Sequence, residues 1–131
     1  MKQITIVAEN RVGLLAEITA ALAARNVNIE TLDAEGINDH GILILTVDKY
    51  DEALQVINTI PRIRAISEDA ILIRLSDKPG ALAEIAKRFK DSNINLRSIR
   101  ILRRDADHSL VAISAERTKD ALELVKDVLI S

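Results

Sequence analysis

Apolar and polar residues alternate at the start of the chain. Ile4, Ile6 and Ala8 are interleaved with Thr5, Val7 and Glu9, and a period of two predicts a strand. Asn10-Arg11-Val12-Gly13 reads as a turn. Leu15, Ile18 and Leu22 then recur at helical spacing, and Ala16, Ala20, Ala21, Ala23 and Ala24 add helix propensity. Asn26 and Asn28 end this helix, because asparagine tolerates left-handed and turn geometry. A second strand is predicted from about Ile29 to Ile37, a hairpin at Asn38-Asp39-His40-Gly41, and a third strand from Ile42 to Val47. Asp51 suits the cap of a second helix that buries Ala53, Leu54, Ile57 and Ile60 and ends at Pro61. Arg62 to Ser67 completes the series as a short fourth strand.

The pattern then repeats at an offset of about 67 residues. Ile4, Ile6 and Gly13 recur as Ile71, Ile73 and Gly80, and Leu15-Ala16-Glu17-Ile18 as Leu82-Ala83-Glu84-Ile85. Asn26 and Asn28 recur as Asn93 and Asn95, and Asp39-His40 as Asp107-His108 after a one-residue insertion. The second copy predicts a strand at Ile71–Leu75, a helix striped by Leu82, Ile85, Ala86 and Phe89, and a strand opening at Asn95. A further strand follows at Leu110–Ala115, then a helix capped by Thr118 with Ala121, Leu122, Val125 and Val128 on one side. No fourth strand is evident in this copy. The expected organisation is two modules, residues 1–68 and 69–131, joined rigidly at Ser67-Glu68-Asp69, which lacks the Gly or Pro run of a tether.

Each unit reads β-α-β-β-α, with a last strand in the first. This order predicts an α+β fold with helices on one face of an antiparallel sheet. Ile42-Leu43-Ile44-Leu45-Thr46-Val47 is apolar at both parities. A sheet with one wet face should alternate, so the face away from the helices is expected to be covered as well. Units of this size bury only about 60% of their unfolded surface and are marginal alone, which favours partner surfaces.

Composition narrows the functional classes. The chain is 48% apolar with a net charge of −2, no cysteine, and Tyr50 and Phe89 as its aromatics. Disulfides, thiolate catalysis and Cys-based metal sites are excluded. The charge offers no long-range attraction to nucleic acid or anionic membrane, and a sheet that binds RNA would need stacking aromatics that these strands lack. Arg97, Arg100, Arg103 and Arg104 read as a solvated strand edge. No apolar run nears the roughly 20 residues that span a bilayer, and no signal-peptide core follows Met1; a cytoplasmic protein is expected. His40 and His108 read as hairpin residues rather than metal ligands, since no HExxH-like spacing accompanies them. No nucleophile elbow, phosphate loop or paired-carboxylate motif is present, so no catalytic residue, metal or cofactor is expected.

The turn between first strand and first helix is the candidate for chemistry. It reads Asn10-Arg11-Val12-Gly13-Leu14-Leu15 in one copy and Asp77-Lys78-Pro79-Gly80-Ala81-Leu82 in the other. Glycine permits positive φ, Pro79 pre-sets the φ of a helix start, and the amides that follow favour a carboxylate or small anion. Asp77 or Asn10 beside them can accept from an ammonium group, so the turn suits a zwitterion. An ordinary capped helix start accounts for the same residues.

Asp-Lys-Pro-Gly-Ala-Leu, a helix, then Asn-Ile-Asn-Leu opening a strand, resembles the ACT domain, as does Arg-Val-Gly-Leu-Leu-Ala-Glu-Ile followed by Asn-Val-Asn-Ile. The resemblance spans nearly the whole chain in tandem. It implies ferredoxin-like βαββαβ modules that bind small ligands, mostly amino acids, and regulate metabolic enzymes or transcription. Such modules pair side by side, with ligand between the first turn of one and the second strand of its neighbour. Carried over, it implies a ligand site at Asn10, Gly13, Leu14 and Leu15 with Asn28 and Ile29, and at Asp77, Gly80, Ala81 and Leu82 with Asn95 and Leu96. The first copy departs from the family pattern in having Asn10 where Asp is usual and Val12 where Pro is frequent. The expectation is a non-catalytic regulator, a homodimer that binds an amino acid or similar molecule at interfaces between modules. The alternative is a regulatory or structural subunit that docks to a metabolic enzyme without a small ligand of its own.

Overall fold

A computed structural model describes residues 1–130, with Ser67 and Glu68 described in backbone only. Ser131, the end of the second expected module, lies outside the described residues. The chain divides into two compact units, Lys2–Glu68 and Asp69 onward, the second also taking in Met1.

The first unit runs β1 (Lys2–Glu9), α1 (Leu14–Ala24), β2 (Ile29–Ile37), β3 (His40–Val47), α2 (Tyr50–Asn58) and β4 (Ile63–Asp69). Its four strands lie in the order β2-β3-β1-β4. Ile4 stands opposite Leu45 and Ile6 opposite Leu43, so these four share one face of the antiparallel pair. They are buried under Leu14, Ile18 and Leu22 of α1 and Ala53, Val56 and Ile57 of α2. Ile42 and Ile44 on the reverse face are half-buried.

The second unit repeats the order with β5 (Ile71–Ser76), α3 (Ala81–Asp91), β6 (Leu96–Asp105), β7 (His108–Ala115) and α4 (Thr118–Leu124). Ile71 and Ile73 meet Ile113 and Val111 across the strands, beneath Ile85, Phe89, Ala121 and Val125. Hydroxyl pairs occupy matching places in both sheets: Thr31 with Thr46 at 2.6 Å, Ser98 with Ser114 at 2.7 Å. Cross-strand partners of this kind let polar atoms sit inside without an unmet hydrogen bond.

Several local expectations are corrected. The stripe of α1 is Leu14, Ile18 and Leu22, and Leu15 is 43% exposed. In α3 the stripe is Ala81, Ile85 and Phe89; Leu82 and Ala86 are exposed. Either leucine can begin a helical period, and the left-handed glycine before each helix, Gly13 at φ 87° and Gly80 at φ 90°, decides which one faces inward. α2 begins at Tyr50 after Lys49, so Asp51 sits in the first turn, favourable to the helix dipole without capping it. Arg117, not Thr118, occupies the cap position of α4. Val128 lies beyond α4 instead of on it. β4 runs to Asp69 instead of ending at Ser67, so the joint Ser67-Glu68-Asp69 belongs to the strand.

The second unit has its fourth edge after all. Arg74 N–H donates to Val128 O (2.9 Å), Ile130 N–H donates to Leu72 O (2.8 Å), and Leu129 bridges to Ile73 antiparallel. A strand this short carries no readable period. It is held from the helix side, where Arg88 of α3 meets both carboxylate oxygens of Asp127 (2.6 and 3.0 Å) and also Glu84 (3.1 Å). Fork-on-fork geometry is the strong form of such a pair. Hydrogen bonds from Arg88 hold the Asp127 carboxyl below its ordinary value, and those same bonds, to Asp127 first and Glu84 second, raise the guanidinium.

Two outcomes follow. Asp127 has a lowered folded-state value, so its contribution is present above the ordinary carboxylate range of about 3.9 and is lost as pH falls through the folded value. The melting-temperature gap between the native chain and Asp127→Asn should be widest at neutral pH and close in acid, as read by thermal melts across pH. Ala106 in the β6–β7 hairpin holds φ 46°, where the first hairpin has Asn38 at φ 52°. A left-handed alanine costs about 1 kcal/mol, so Ala106→Asn should stabilise by about that amount in urea denaturation.

Candidate ligand clefts

In each module the strand-to-helix turn is tied to the hairpin tip of its own sheet. Asn10 N–H donates to Asp39 O (2.8 Å), and Asp77 N–H donates to Asp107 O (2.7 Å). Gly13 and Gly80 then turn the chain into the helix through the left-handed region, and a Cβ built on either glycine would have no atom within 4 Å. The first intrahelical bonds run from Glu17 N–H to Gly13 O and from Glu84 N–H to Gly80 O. The amides of Leu15 and Ala16, and of Leu82 and Ala83, therefore precede any intrahelical acceptor. They sit where the helix dipole favours negative charge.

Beside each turn a cleft opens between the helix and the far half of the edge strand. In the first module it measures about 630 Å³ and is lined by Asn10, Arg11, Gly13, Leu14, Leu15, Ala16 and Thr19, faced by Ala34, Glu35, Gly36, Gly41 and Leu43. In the second it measures about 250 Å³, lined by Leu75 to Leu82 and faced by Ile101, Arg104, Ser109 and Val111. Asn10, Gly13, Leu14 and Leu15 thus come together in the first cleft, and Asp77, Gly80, Ala81 and Leu82 in the second. Asp77 lies 3.5 Å from Arg104 Nε. Asn10 donates through Nδ2 to Asn38 O (3.3 Å). Arg11 pairs with Glu17.

The remaining nominees stand elsewhere within their own modules. Ile29 begins β2 and Leu96 begins β6, with Asn28 and Asn95 just before them, each roughly 25 Å of strand from its own turn. Asn28 exchanges hydrogen bonds with Asp48, N–H to Oδ1 at 2.9 Å and O from N–H at 3.1 Å; Asn95 O accepts from Glu116 N–H at 3.1 Å. These contacts close the opposite end of each sheet. A second matched tether went unread in the sequence: Lys49 Nζ reaches Asn26 O (2.9 Å) and Arg117 Nη2 reaches Asn93 O (3.0 Å). They satisfy carbonyls just past α1 and α3.

The sequence reading also missed the strand wall of each cleft. One signal was available. Gly36 and Gly41 bracket the first hairpin, and glycine within a strand marks close approach. A Cβ on Gly41 would lie 2.7 Å from Leu14 Cδ2, and a Cβ on Gly36 would lie 2.7 Å from Asn10 Nδ2. His40 and His108 begin β3 and β7 and are exposed. Among the described residues no three His, Asp or Glu side chains converge as a metal site, and no helix is long and apolar enough to cross a membrane.

The family model of the ACT domain matches the chain twice, at residues 2–60 and 70–129. Among solved structures the chain is similar to protein BT0572 from Bacteroides thetaiotaomicron, with TM-score 0.79 and 25% identity over 98% of this chain and 90% of that one. It shares its fold with the regulatory subunit of aspartate kinase from Thermus thermophilus, in ligand-free form (TM-score 0.64, 21% identity, 96% and 91% covered). The same holds for that subunit from Thermus flavus (TM-score 0.67, 17% identity, 96% and 90% covered). No curated protein matches it in sequence.

Module two carries the opposite size choice at the Leu14–Gly41 contact, with Ala81 and Ser109 in those places. Gly41→Ser should therefore cost about 1 kcal/mol, the low end for overpacking, because Leu14 can swing into the adjoining cleft. Combined with Leu14→Ala, the loss measured by urea denaturation should fall short of the sum of the single changes by about 1 kcal/mol.

Proposed function

The chain belongs to the ACT domain family, and from that premise we propose that it is a non-catalytic regulatory protein whose clefts take an amino acid or a similar small zwitterion. The observation that carries this reading is the open glycine turn. Apart from chain neighbours nothing stands within 4 Å of the Cβ positions of Gly13 and Gly80, and Leu15 and Ala16 beyond Gly13 line the first cleft as Ala81 and Leu82 beyond Gly80 line the second. A carboxylate fits those amides. An ammonium fits the side chain of Asn10 or Asp77 at the same turn, and Leu14, Leu15 and Leu43 offer an apolar floor to a side chain. These leucines favour a small or branched apolar amino acid.

We further propose that two copies pair through the margin of the first sheet. β2 is an edge strand, and Leu32 on it and Leu15 of α1 are 41% and 43% exposed. An unpaired edge flanked by apolar side chains invites a partner strand. In such a pair Asn28 and Ile29 of the partner come within reach of the turn, which is the role the family pattern gives them. The aspartate kinase regulatory subunits among the similar structures favour a second reading, in which these surfaces dock to a metabolic enzyme with no small ligand.

Calorimetry against the twenty amino acids separates the two readings. Heat with at least one is expected, together with a stabilisation of about 2.7 kcal/mol in thermal melts at a ligand concentration one hundred times its Kd. Light scattering should report a dimer, and Leu15→Glu should shift it toward monomer. Silence from every amino acid, with copurification of an endogenous enzyme, would replace the first reading by the second.

A further inference from the structure

The two clefts are built from equivalent elements and are not equally open. On β2, Ala34 stands opposite Leu43 and Gly36 opposite Gly41. On β6, Ile101 stands opposite Val111 and Arg104 opposite Ser109, with a register shift between Ile101 and Arg103. Along the strand wall, alanine and two glycines in the first module become isoleucine, arginine and serine in the second. On the side of edge strands β2 and β6 the first cleft measures about 630 Å³ and the second about 250 Å³; a separate hollow of about 670 Å³ on the other side of the Gly80 turn is walled by Arg74, Glu84, Arg88 and Asp127 and has no wall from β6.

Charge follows size. Arg104 lies 3.5 Å from Asp77, so the carboxylate suited to a ligand's ammonium already faces a cation of its own chain. Gly36, at the matching place, has no side chain to offer. The amide of Asn10 lies over it, close enough that a Cβ there would meet Nδ2 at 2.7 Å. Nδ2 is spent on Asn38 O, which leaves the Oδ1 lone pairs as an acceptor at the open cleft.

We propose that ligand binding is confined to the first module, with Gly36 holding its cleft open and Arg104 at the rim of the second narrowing its mouth and pairing with Asp77. This rests on the small-zwitterion reading above. It reverses the ranking that the turn residues alone suggest, since Asp77-Lys78-Pro79-Gly80 is the closer match to the family pattern. An arginine at the cleft rim has a use: the second module keeps the fold and its surfaces while the chain carries one ligand per copy.

Titration of the full chain with the twenty L-amino acids, followed by amide NMR shifts and calorimetric stoichiometry, tests the assignment. The native chain should bind one equivalent per chain, with shifts at Leu15, Gly36 and Gly41. Arg104 is solvent-exposed and an exposed pair contributes little to stability, so Arg104→Ala keeps the fold and should bring a second equivalent with new shifts at Gly80 and Leu82. Gly36→Arg should weaken the native site by about tenfold or more. Two equivalents in the native chain, or one unchanged equivalent in Arg104→Ala, would overturn the assignment and leave the amino-acid reading standing. No response from the native chain to any amino acid would overturn both.

Discussion

One backbone hydrogen bond in each module, from the amide that ends the first strand to a carbonyl at the hairpin tip, organises everything around the cleft. Asn10 to Asp39 and Asp77 to Asp107 pin the turn to the end of the sheet. Because the strand ends there, the chain has only Asn10–Gly13, or Asp77–Gly80, in which to reverse into a helix. A left-handed residue is the short route, and glycine takes it without the Cβ penalty. The helix phase is set at that residue. Leu14 and Ala81 go into the core, while Leu15 and Leu82 are left looking outward.

The same constraint accounts for the uncapped start of each helix. A helix that starts at a sheet end must leave its first amides without intrahelical acceptors. In a packed loop such groups would need a cap, but neither helix has a side-chain cap. Beside them the Cβ positions of Gly13 and Gly80 border open space. The opposite ends of α1 and α3 are treated otherwise. There Lys49 and Arg117 reach back to carbonyls just past the helix, and Asn26 and Asn93 take the left-handed turn. One end is finished by the chain itself, and the other has no side-chain cap.

Duplication gives the modules the same frame and lets them diverge on its walls. The exchange of Leu14 and Gly41 for Ala81 and Ser109 shows how a core contact can be refilled with its sizes reversed. The exchange of Gly36 for Arg104 does more, because it changes the charge and the volume of a cleft at once. The edge strand tolerates such a change: its side chains meet one neighbour instead of two, so added bulk is accommodated by solvent.

The ACT likeness, the α+β order, the repeat and its α1–α3 turns were legible in the sequence, because strand alternation, helical spacing and glycine placement are local properties. Asn26 and Asn93 were legible for the same reason. Tertiary structure alone decided three things. It chose Leu14 over Leu15 for the core, since both satisfy a helical period and only the entry angle distinguishes them. It placed Val128–Ile130 as the missing edge of the second sheet, because three residues carry no period and are held by Arg88 and Asp127 from helix and tail. It brought Gly36 over Asn10 and Arg104 to Asp77, pairs separated by more than twenty residues that meet only once strand register is set.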